Sequence, residues 1–110
     1  MALFGRRRGA AAGGYWQDKD ETLAYLDAFV GSRRGVEVYV EPATVVTETT
    51  VALVAHDGEW TRRRIGSAKA AAAFAKRHSL PLYDVAASGY PARMRAWTSE
   101  QAAKQRDSRS

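Results

Sequence analysis

Asp57-Gly58-Glu59-Trp60-Thr61-Arg62-Arg63-Arg64-Ile65 is the stretch on which the fold of this chain turns. An Asp-Gly pair between two strand-like runs is a strong hairpin signal, because a tight two-residue turn needs positive φ at both positions. The sequence thus predicts a two-residue turn at Asp57-Gly58, closed by the pair His56 and Glu59. In that register Ala55 faces Trp60, Leu53 faces Arg62 and Val51 faces Arg64. Side chains alternate along a strand, so Arg62 and Arg64 share one side and Arg63 takes the other. Six Lys or Arg residues and no acid lie between Thr61 and His78. A cationic surface on ordered structure points to a binding role.

Outward from this hairpin the periodicities change. Upstream, Val36-Glu37-Val38-Tyr39-Val40-Glu41 alternates with period two and reads as a strand with its valines on one face. Pro42 closes it, and Val45 to His56 reads as a longer second strand. Farther back, Asp18 with Glu21 three residues later forms a capping-box pattern. Leu23, Leu26, Phe29 and Val30 then recur at helical spacing, with Gly31 or Gly35 as the stop. Downstream, Ser67 suits the cap of a helix from Ala68 to about Arg77, anchored by Phe74. Leu82 to Val85 has the composition of a short extra strand, and Pro91 opens a third helix carrying Met94 and Trp97. The fold class is therefore α+β: a three-stranded antiparallel sheet, with a short fourth strand, two main helices on one face and a third, C-terminal helix. Residues 1–17 read as a flexible basic arm, 18–98 as one domain and 99–110 as a frayed polar tail.

At 110 residues the chain holds one core. A net charge of +5 and a pI near 9.9 favour acidic partners, nucleic acid above all. The charge is unevenly placed: Val36 to Trp60 contains Glu37, Glu41, Glu48, Asp57 and Glu59 and no Lys or Arg. With no cysteine, disulfides, thiolate catalysis and cysteine-ligated metals are excluded, and a reducing, cytoplasmic setting fits. No apolar run has the length of a membrane span. His56 and His78 lack metal-ligand spacing, and nucleophile-elbow, P-loop and dinucleotide motifs are absent, so no cofactor is expected.

Two surfaces compete for function. On the first, Arg62, Arg64, Lys69, Lys76 and Arg77 hold phosphates, and Ser67 opens a helix whose free amides favour an anion. Trp60 has two readings there: a platform on which a base stacks, or a core side chain past which the arginines extend to water. The second surface is Tyr90, Pro91, Arg93, Met94 and Trp97, residue types favoured at the centres of protein interfaces. The first makes the chain a non-enzymatic module for nucleic acid, RNA more than DNA, or a component of a ribonucleoprotein. The second makes it an accessory module that docks on a protein. A small oxidoreductase is the third class.

The words Gly35-Val36, Tyr39-Val40-Glu41-Pro42, Thr47-Glu48-Thr49-Thr50, Gly58-Glu59-Trp60-Thr61-Arg62-Arg63-Arg64 and Gly89-Tyr90-Pro91 with Arg93-Met94-Arg95 resemble a group of short uncharacterised actinobacterial proteins. Some of those sequences carry an oxidoreductase label. The resemblance implies a bacterial cytosolic origin. In topology alone, Asp18 to Ser79 is similar to a double-stranded-RNA-binding domain, whose second helix presents lysines to phosphates. Lys69 matches one such lysine, and Glu41-Pro42-Ala43-Thr44 stands where that family has Gly-Pro-x-His.

Overall fold

The structure, a computed structural model, describes residues 13–109. The elements follow in the order α1 (Gly13–Ser32), β1 (Glu37–Glu41), β2 (Thr49–Val54), β3 (Trp60–Gly66), α2 (Ala68–Arg77), β4 (Leu82–Asp84), α3 (Val85–Ser88) and α4 (Ala92–Arg109). The strands form one sheet in the order β3-β2-β1-β4, antiparallel except for the parallel pair β1–β4. The α+β class is as the sequence predicts. Leu3, Phe4 and Arg6 to Arg8 of the expected arm lie outside the described residues.

The valine face of β1 decides the larger core. Val38 and Val40 oppose Leu53 and Val51 of β2, and all four are buried. Leu26 and Phe29 of α1 and Ala71, Phe74 and Ala75 of α2 close over them. The alanines of α2 let its backbone approach the sheet, and Phe74, 1% exposed, fills the space they leave. Ser67 caps this helix by accepting from the Ala70 amide at 3.0 Å, as expected of that residue.

The third long helix, α4, covers the opposite face. A smaller cluster forms there from Tyr39, Ala52, Val54 and Met94, with Trp60, Val85 and Tyr90 against it. Every residue of β2 is therefore buried, whichever way it points.

Three boundaries differ from the sequence reading. β2 begins at Thr49 rather than Val45, because its partner β1 ends at Glu41, opposite Thr50. The intervening loop is held by Thr44, whose hydroxyl accepts from the amides of Val46 and Thr47, and Val45 and Val46 project into solvent. α1 starts at Gly13, before the expected cap at Asp18, and so takes in Gly13 to Gln17 of the expected arm. α4 runs through Arg109, beyond the expected fraying point at Ser99. Glu100 to Arg106 is made of Glu, Gln, Ala, Lys and Arg, all good helix formers.

The hairpin is one residue out of the expected register. Its closing pair is Ala55 and Glu59, with the Ala55 amide donating to the Glu59 carbonyl at 2.8 Å. The Gly58 amide donates to the Ala55 carbonyl, and Gly58 has φ +97°. This is a three-residue loop, a turn followed by a positive-φ glycine. Asp57-Gly58 suits this loop as well as the two-residue turn, so the dipeptide does not fix the register. Arg62 accordingly faces Ala52, Arg63 faces Val51 and Trp60 faces Val54.

Candidate nucleic-acid interface

The register divides the arginines of β3 between two environments. On the α4 side the rows read Trp60–Val54–Glu37, Arg62–Ala52–Tyr39 and Arg64–Thr50–Glu41 across β3, β2 and β1. Ala52 is small enough for Arg62 to cross above it, donating from Nε to the Glu41 carboxylate at 2.9 Å. Tyr90 donates its hydroxyl to the same carboxylate. The Arg62 guanidinium also lies 5.1 Å from the Trp60 ring, whose Nε1 donates to Thr98 Oγ1 of α4 at 2.8 Å. Trp60 and Arg62 thus join the sheet to α4 and to β1.

The residues of the second sequence surface lie beside them. Met94 is buried, and Arg93 donates to the Ala55 carbonyl at 2.9 Å and to Glu37 at 2.8 Å. Tyr90, Pro91 and Trp97 are half-buried. Glu37 also accepts from the Tyr39 hydroxyl at 2.8 Å. Burial pushes the Glu37 carboxyl up, but the hydrogen bonds from Arg93 and Tyr39, with the Arg93 charge, outweigh it and hold it below its ordinary range. Burial, then the bond to Glu37, pushes the Tyr39 phenol up to about 12. Asp27 is held low chiefly by its hydrogen bond to His78, against burial, with Arg77 adding to the effect.

These shifts set the pH profile. A carboxylate whose pKa is lower folded than unfolded stabilises the fold above its unfolded value, near 4, and loses that contribution as pH falls through the folded value. Tyr39, raised on folding, contributes below about pH 10 and loses that contribution as pH rises through about 12. Stability should therefore be greatest between these limits. Urea midpoints measured against pH should show Glu37→Gln and Asp27→Asn flattening the acid limb. An unchanged acid limb in both variants would contradict the assignment.

On the opposite side of the sheet, β3 is the edge strand, and α1 and α2 diverge over it. The cleft between them encloses about 580 Å³. Leu23, Ile65, Ala70, Ala73 and Phe74 form its apolar lining, Lys19, Arg63 and Arg77 contribute cations, and Glu21 contributes a carboxylate, with Arg77 paired to Asp27 at 2.5 Å. Arg64 borders the cleft from its place on the strand, its side chain lying with that of Arg62 on the α4 side. Tyr25 stands on the α1 wall with 42% of its surface exposed. Its hydroxyl shares a 2.9 Å hydrogen bond with Thr61 Oγ1, and the Arg63 guanidinium lies over its ring at 4.0 Å. Arg63 NH1 also donates to the Arg62 carbonyl at 2.7 Å, which fixes the guanidinium against the ring.

Of the residues singled out in the sequence for phosphate contact, Arg77 lines this cleft, and Arg64 borders it from β3 with its side chain on the α4 side. Lys69 and Lys76 are exposed on α2, whose other residues form one wall, and Ser67 caps that helix. Trp60 and Arg62 are on the other face of the sheet. Lys19, Tyr25 and Arg63 complete the cleft, and the sequence patterns do not pick them out. The missed signal is an aromatic on α1 four residues before Phe29, at the border of the apolar stripe. Among the described residues no three His, Asp or Glu side chains group to hold a metal ion, and no helix is long and apolar enough to cross a membrane. No family model, curated protein or solved structure matches the chain.

Proposed function

We propose that this chain is a non-enzymatic binding module for nucleic acid, RNA in preference to DNA, acting in the cytoplasm, with the α1–α2 cleft over β3 as its site. The observation that carries the reading is the lining itself: cations from three separate elements above an apolar floor, with an exposed tyrosine in the wall. Phosphates suit the cations, and an aromatic with an adjacent guanidinium suits a base of any identity. Lys69 and Lys76 extend the positive charge along α2. Single-stranded RNA is favoured because its unstacked bases are open to aromatic side chains, whereas a duplex presents phosphates and groove edges.

The alternative, docking on a protein through Tyr90, Pro91, Arg93, Met94 and Trp97, has less support. Tyr90, Arg93 and Met94 already bond to or are buried against the protein's own sheet.

Fluorescence anisotropy with an unstructured RNA oligomer tests the proposal. Binding should weaken with salt at a slope of roughly −2 to −3 in log–log form, as expected for three or four phosphates held on a single strand. Salt-independent binding, or none at low salt, would defeat it.

A further inference from the structure

We infer that the cleft takes one unstacked base of the bound strand, so that the module selects single strands over duplexes. This rests on the nucleic-acid reading above and goes beyond phosphate contact. A cleft of about 580 Å³ falls within the roughly 300–1,000 Å³ of sites that enclose a small ligand, a nucleotide among them. A duplex keeps its bases stacked inside and would leave the accessible apolar surface of Leu23, Ala70 and Ala73 in the cleft facing water. A base that leaves the stack covers them, while its phosphate remains at the cationic rim.

The platform for that base is already built. Thr61 holds the Tyr25 hydroxyl at 2.9 Å, and the Arg62 carbonyl holds the Arg63 guanidinium at 2.7 Å. The two flat groups therefore meet before any ligand arrives, which reduces the ordering entropy lost on binding. Tyr25 keeps 42% of its surface exposed although Arg63 lies over one face of its ring, so the Tyr25–Arg63 pair remains accessible to a partner.

Three probes of equal length separate the possibilities: an unstructured RNA oligomer, the same backbone without bases, and a blunt RNA duplex. The oligomer should bind about tenfold or more tighter than the abasic strand, the scale of base–aromatic stacking, and tighter than the duplex. Tyr25→Ala should abolish the difference between oligomer and abasic strand, and Tyr25→Phe should keep it. Melting curves on both variants verify that the fold survives. Arg77→Gln should weaken both strands alike.

Equal, salt-sensitive affinity for oligomer and abasic strand would overturn the base site and leave the nucleic-acid reading standing. Failure of every probe to bind would overturn both. Displacement of the oligomer by a medium-chain acyl phosphate, with adenosine monophosphate inert, would also overturn the base site by assigning the apolar floor to an acyl chain.

Discussion

Gly58→Val should lower the stability of this protein more than any substitution at another turn. Gly58 has φ +97°, a conformation that a β-branched residue adopts only under strain, at roughly 1–3 kcal/mol. A second cost arises from helix α4. A Cβ at this position would collide with the Arg93 carbonyl oxygen and lie 3.0 Å from Trp97 Cβ. The carbonyl cannot swing aside, because Arg93 is tied to Ala55 and Glu37 and Met94 is buried in the sheet. Overpacking of this kind adds about 1–3 kcal/mol. Gly89→Ala separates the two contributions. Gly89 also has positive φ, at +71°, but a methyl group there would meet nothing within 4 Å. Urea denaturation should place Gly58→Val well below Gly89→Ala. Equal midpoints would mean that α4 does not press on the hairpin.

The second large effect is expected at Phe74. Its ring is 1% exposed, lies 4.7 Å from the His78 ring and belongs to the core formed with Leu26, Phe29 and Val38. Nearby α2 residues on that face are alanines, which cannot close a cavity left by the ring. Phe74→Ala should destabilise by about 3–5 kcal/mol, the usual range for removing a buried aromatic. Domains of this kind are typically stable by about 5–15 kcal/mol, so the variant should keep little margin at physiological temperature. Because Phe74 also floors the cleft, the loss should reach ligand binding even in the cold, where the variant remains folded. A loss below about 1 kcal/mol would mean that α2 is not seated on the sheet through this ring.

Much of this architecture is legible in the chain itself. The alternation of Val36, Val38 and Val40 against Glu37, Tyr39 and Glu41 states which face of β1 is inside, and the structure buries those valines. Ser67 and the alanine run give α2 both its cap and its close approach to the sheet. The face of each β3 arginine is legible only in part. Alternation puts Arg62 and Arg63 on opposite sides, but which side receives the helices depends on loop length, and Asp57-Gly58 fits two lengths. One residue of slip exchanges the partners of the whole strand. Local pattern therefore favours Arg62 beside Trp60 as a phosphate contact, whereas the structure joins Arg62 to Glu41 and places Arg63 over Tyr25. Glu41 is 21 residues from Arg62, and Tyr25 belongs to a helix two strands earlier in the chain than β3. Pairings of that range are beyond the reach of any local signal.

Whether single-stranded nucleic acid occupies the cleft over β3 between α1 and α2 is tested most directly by backbone amide chemical shifts, recorded during titration with an unstructured RNA oligomer. Perturbations should concentrate at Leu23, Tyr25, Arg63, Ile65, Ala73 and Arg77, with Tyr83, Met94 and Thr98 little changed. Perturbations centred on Trp60, Arg62 and α4, or none at saturating oligomer, would contradict a site in this cleft.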